Sequence, residues 1–112
     1  MLVELKANEK VQDHLVEGKI AVVKFATKTC PPCNMLKPVF EKLATKEELE
    51  NVVFIAADAN EHPQAREYGV QSVPTLLFFK GPEVLGQNVG FVPEKPLQDF
   101  IAKLEREELP KS

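Results

Sequence analysis

The sequence predicts an α/β fold, with a central mixed β-sheet flanked by helices on both faces. Three observations carry that expectation. Residues 20–26, 52–57 and 75–79 are short apolar runs, rich in β-branched or aromatic side chains, as buried strands are. Segments with apolar residues at helical spacing separate or follow them. Gly81-Pro82 then makes a turn into a further strand. The resulting order, β-α-β-α-β-α-β-β-α, implies a mixed sheet covered on both sides.

Taken in order, residues 2–5 form a short, weak strand. Asn8 is placed to cap a helix that carries Val11 and Leu15 inward and ends at Gly18. Residues 20–26 are the first strong strand. The helix after it shows Leu36, Val39, Phe40 and Leu43 at i, i+3, i+4 and i+7 and runs to about Lys46, with Pro38 expected to kink it. Residues 52–57 make the second buried strand. Asn60 is placed to cap a short helix through Arg66 that closes at Gly69. Residues 75–79 and 83–89 complete the sheet. The last helix carries Leu97, Phe100, Ile101 and Leu104 on one face, and residues 107–112 read as a polar tail. His14 and His62 are expected on the solvated surface. The seven phenylalanines are mostly core by spacing, with Phe91 a candidate for partner contact.

At 112 residues the chain is expected to be a single domain over 1–112, with its core in about 2–106. A hydrophobic content of 44% with 28% charged residues is that of an ordinary globular protein. The net charge of −3 argues against a nucleic-acid partner, which selects for a basic face. No stretch approaches the roughly 20 apolar residues of a membrane span. The first residues lack the pattern of a signal peptide, so a cytoplasmic location and a monomer are expected.

The only two cysteines lie in Cys30-Pro31-Pro32-Cys33, between a predicted strand and a predicted helix. The first turn of a helix has backbone N–H groups without intrahelical partners and the positive end of the helix dipole. A sulfur at Cys30 lies over that end, which favours its thiolate. Cys33, one turn further in, is expected to be more buried. Cys30 is therefore the candidate nucleophile and Cys33 the resolving thiol. Pro31 and Pro32 suit a first helical turn, where a missing N–H breaks no helical bond. A purely structural disulfide would close too short a loop to stabilise much. A tetrahedral metal site needs four ligands, more than two cysteines and two distant histidines provide, so no metal or other cofactor is expected.

The chain resembles the thioredoxin family over about residues 2–106. Four features carry the resemblance: the C-x-x-C at a strand–helix junction, Pro38 five residues past Cys33, Val73-Pro74-Thr75 before the third strong strand, and Gly90 at the end of the last. The resemblance implies a thioredoxin fold, dithiol–disulfide exchange on protein disulfides, a cis Val73–Pro74 bond, and a substrate-docking edge at Val73, Pro74, Thr75 and Gly90. It implies electrons supplied by a separate disulfide reductase. A disulfide oxidase or isomerase of the same fold, or a non-catalytic binding module, are the rival readings.

Three positions depart from the family pattern. Thr29 stands where a tryptophan is common, and Pro31 where glycine is common. Lys24 stands where typical thioredoxins carry a buried aspartate that takes the proton of the second cysteine. The neighbouring strand offers Phe54, Ile55 and Ala56 where the aspartate's lysine partner usually sits, so the pair is not simply reversed. Lys24 either snorkels to the surface or sits near Cys33 with a lowered pKa and tunes that thiol.

Overall fold

The computed structural model describes residues 2–107. It contains strands β1 (Leu2–Glu4), β2 (Ile20–Ala26), β3 (Val53–Asp58), β4 (Thr75–Lys80) and β5 (Glu83–Val89), and helices α1 (Pro31–Ala44), α2 (Gln64–Glu67) and α3 (Glu94–Arg106). The strands form one five-stranded sheet in the order β1-β3-β2-β4-β5. β1, β3 and β2 run parallel to one another, while β4 is antiparallel to both β2 and β5. The sheet is therefore mixed, as the order of elements requires.

Side chains alternate across the sheet, so β1, β2, β3 and β4 each feed two cores, while β5 adds Leu85 to one of them. Ile20, Val22, Phe54, Leu76 and Phe78 face Leu36, Phe40 and Leu43 of α1 and Leu97, Ile101 and Leu104 of α3. Phe40 meets Phe54 edge to face at 5.3 Å between ring centroids. On the other face Ala21, Val23, Phe25, Ile55, Leu77 and Phe79 pack with Val11 and Ala65. This two-sided burial explains why β2 and β4 read as continuous apolar runs.

The segment read as a helix capped by Asn8 is a single 3-10 turn, Val11–His14. Its start is fixed by Asp13, whose carboxylate accepts the Lys10 N–H at 2.9 Å. The Val11 N–H donates to Gln64 Oε1 from α2 at 2.6 Å, instead of entering a local helix. Gly18, with φ of 78°, serves the Val16–Lys19 turn into β2 rather than a helix terminus. Asn60 does not cap α2, because its N–H is held by Asp58 Oδ1 in a turn and Pro63 occupies the cap. α1 ends at Ala44, short of Lys46.

His62 corrects the surface expectation. It is buried, with Nε2 against the Glu9 carbonyl oxygen and Nδ1 accepting the Gln64 N–H. His14 is half-buried beside the Glu9 carboxylate. Phe100 lies on the inward side of α3 and stacks edge to face on Phe78, yet remains 43% exposed. The polar tail expected from 107 onward lies, after Glu107, outside the described residues.

Candidate active site

β2 delivers the chain to α1 through Thr27, Lys28 and Thr29, and Cys30 is the N-cap of that helix. Pro31 and Pro32 occupy its first positions. They bring no N–H groups, so the first backbone donor after Cys30 is that of Cys33. That N–H donates to Cys30 Sγ at 3.2 Å. The two cysteines are joined as a disulfide with their Cα atoms 5.1 Å apart. Cys30 is 9% exposed and Cys33 only 2%.

A second segment meets this one from 43 residues away in sequence. Cys30 Sγ lies 3.7 Å from the Val73 carbonyl oxygen. The Val73–Pro74 peptide bond is cis. Pro74 is buried, and its carbonyl accepts the Gly90 N–H at 2.8 Å. Thr75 is buried, donates its hydroxyl to Ser72 O, and pairs with Val89 across β4 and β5. Gly90 has φ of 96°, a conformation that glycine adopts without strain. Cys30, Val73, Pro74, Thr75 and Gly90 thus come together at one end of the sheet. Phe91, next to Gly90, is 38% exposed.

Lys24 is on the α1 face of β2, by alternation from Val22. It does not reach the surface. The residue is 6% exposed, and its Nζ sits 5.0 Å from the centroid of the Phe40 ring, within cation–π range. Burial holds its amine below the usual lysine range. Glu41 opposes that shift, Lys37 adds to it, and Glu4 opposes it. Lys24 and Cys33 line the same open cleft of about 380 Å³, together with Glu4, Lys37 and Ala56. Glu4, Lys37 and Glu41 were not singled out from the sequence, because nothing local marks them. The signal lies in the register of β1 on β3 and in the four-residue spacing of Cys33, Lys37 and Glu41 along α1.

Among the described residues no group of three or more His, Cys, Asp or Glu side chains could hold a metal ion. Among the described residues no helix is long and apolar enough to cross a membrane. A disulfide at the N-cap of a helix, with a backbone N–H on its first sulfur, is built for thiol–disulfide exchange. Fold and site together define a thiol–disulfide oxidoreductase.

A model of the thioredoxin family matches residues 2–103. Thioredoxin H5 of Arabidopsis thaliana is 38% identical over 84 residues, covering 74% of this chain and 70% of that one. The thioredoxin of Bacillus subtilis is 36% identical over 85 residues, covering 75% and 81% respectively. The crystal structure of Malassezia sympodialis thioredoxin (Mala s 13) superposes with a TM-score of 0.82 at 28% identity, covering 94% of this chain and 91% of that one. The chain belongs to the thioredoxin family, and its enzymatic class is that of the protein-disulfide reductases.

Proposed function

We propose that Cys30 attacks a substrate disulfide and Cys33 resolves the mixed disulfide. The observation that carries this division is the N–H of Cys33 on Cys30 Sγ, together with the deeper burial of Cys33. A developing negative charge on Cys30 meets a donor and the positive end of α1, and the donor need not be reorganised.

In the first step the Cys30 thiolate forms a bond to one substrate sulfur. The substrate S–S bond breaks, and the departing sulfur takes a proton. In the second step the Cys33 thiolate attacks Cys30 Sγ and expels the other substrate thiol. The substrate gains two electrons and two protons, and the chain is left with the Cys30–Cys33 disulfide. A separate disulfide reductase then supplies the electrons that reopen it, with no cofactor bound to this chain.

Val73, Pro74, Thr75 and Gly90 form the docking edge. Val73 precedes β4 and has no partner in the strand ladder, so its backbone is available to an extended substrate segment as an added strand. Lys24 tunes Cys33. A protonated amine in the shared cleft favours the Cys33 thiolate, which stabilises the reduced form. The single domain acts as a monomer under the reducing conditions of the cytoplasm.

Trapping tests the assignment. Cys33→Ser should accumulate a mixed disulfide through Cys30 when mixed with a disulfide-containing protein such as insulin, and Cys30→Ser should form none. Faster alkylation of Cys33 than of Cys30 in the reduced protein overturns the roles.

A further inference from the structure

Lys24 has the charge a buried position tolerates least, and the structure shows what surrounds it. Ala56 is the register partner of both Glu4 on β1 and Lys24 on β2, so the three side chains form one row on the α1 face. Neighbouring strands are about 4.8 Å apart, which sets Glu4 and Lys24 roughly 10 Å apart at the backbone. Only the methyl group of Ala56 stands between them. A glutamate and a lysine leaning over it are long enough to approach each other. Glu4, Ala56 and Lys24 all line the cleft that also contains Cys33.

From above, α1 presents Cys33, Lys37 and Glu41 at four-residue intervals, hence on one helix face. Phe40, next to Glu41, is the residue on which the Lys24 amine rests. β4 contributes only Leu76 in register with Lys24. The remaining charges of the cleft are engaged elsewhere. Lys28 pairs with Glu61 at 3.8 Å, and Asp58 accepts the Asn60 N–H. That leaves Glu4, Lys37 and Glu41 as the charges acting on Lys24.

We propose that Glu4 and Glu41 are positioning residues for Lys24, two counter-charges from separate elements that keep its ammonium protonated beside Cys33. This rests on the reading of Lys24 given above and supplies what that reading lacks. A buried ammonium without opposite charge sheds its proton and no longer favours a neighbouring thiolate. Glu4 acts from the cleft, Glu41 acts from the next turn of α1 beyond Lys37, and Lys37 acts against them, in accord with the directions in which each moves the Lys24 pKa.

The test follows the Lys24 side chain by NMR titration of the reduced full-length chain at low ionic strength, with the Cys33 titration read in the same samples. Glu4→Gln and Glu41→Gln should each move the Lys24 titration to lower pH, and the double variant should move it furthest. Lys37→Gln should move it to higher pH, and Glu41→Asp should retain part of the wild-type position. The Glu→Gln changes should alter the Cys33 titration differently in wild type and in a Lys24→Met background. Identical effects in both backgrounds overturn the proposal, because the carboxylates then act without Lys24. An unmoved Lys24 titration in all the glutamine variants also overturns it, while a Cys33 titration that still responds to Lys24→Met leaves the role of Lys24 intact. A Cys33 titration indifferent to Lys24→Met overturns both.

Discussion

Lys24 places an amine on a sheet face otherwise built from Ile20, Val22, Phe54, Leu76 and Phe78, and that placement has a measurable thermodynamic signature. Burial lowers its folded pKa from the ordinary 10.5. Below the lowered value the lysine is charged in both states, and the full cost of burying the charge falls on the fold. Between the lowered value and about 10.5 the unfolded chain binds a proton that the folded chain does not, so stability rises with pH across that window. Lys24→Met is therefore expected to raise stability at neutral pH, since it removes the cost of burying the charge. The variant should also lack the alkaline rise, which urea titrations at several pH values would measure. The same change is expected to raise the Cys33 pKa and lower the reduction potential of the pair, read by equilibration with glutathione. A gain in stability with a loss of oxidising strength marks a residue retained for chemistry.

At the scale of elements, the first turn of α1 sets the reactivity of Cys30. Prolines at its first two positions leave the Cys33 N–H as the nearest backbone donor to the sulfur. Pro31→Gly adds one N–H at the positive end of the helix. It is expected to move the pH midpoint of Cys30 alkylation downward, and an unchanged midpoint would show that the added group points away. The other sheet face depends on a polar seam. Gln64 accepts the Val11 N–H and donates to Gln12 Oε1, and Gln12 donates to the Tyr68 hydroxyl. Gln64→Leu leaves the buried Val11 N–H unpaired and should cost about 1–3 kcal/mol in chemical denaturation. That seam also explains what the sequence did not reveal. β2, β4 and α3 were legible because each buries a continuous run or a regular stripe. The segment before β2 has the inward residues of a helix, Val11 and Leu15, but its backbone is claimed by a side chain 53 positions away. The cysteine pair was legible from its spacing together with its place between a predicted strand and a predicted helix. Glu4 and Glu41 were not, because their relation to Lys24 exists only after three strands and a helix have assembled.

Across the whole molecule, one sheet separates two cores that share the backbones of β1 to β4, so neither core is expected to melt alone. Tyr68 is the only tyrosine and the chain has no tryptophan. Its ring packs against Phe25 and Phe79 on the face opposite α1. Tyrosine fluorescence therefore reports one core, while the rate at which Cys33 is alkylated reports the other. A single cooperative domain predicts coincident midpoints for the two in urea. Separate midpoints would show that the faces unfold as independent units.

The row Glu4–Ala56–Lys24 also constrains how such a site changes over generations. The common family layout places an aspartate where Lys24 stands and a lysine on the neighbouring strand, and from here it is two substitutions away. Lys24→Asp alone sets a third carboxylate beside Glu4 and Glu41. Ala56→Lys, at the one of the three candidate positions that is in register with Lys24, alone crowds a second ammonium against Lys24 and fills the gap over which Glu4 approaches. Each single step places like charges together on a partly buried face, which is unfavourable. The two charge layouts are thus separated by intermediates that are electrostatically disfavoured, and exchanging one for the other is expected to need both changes together.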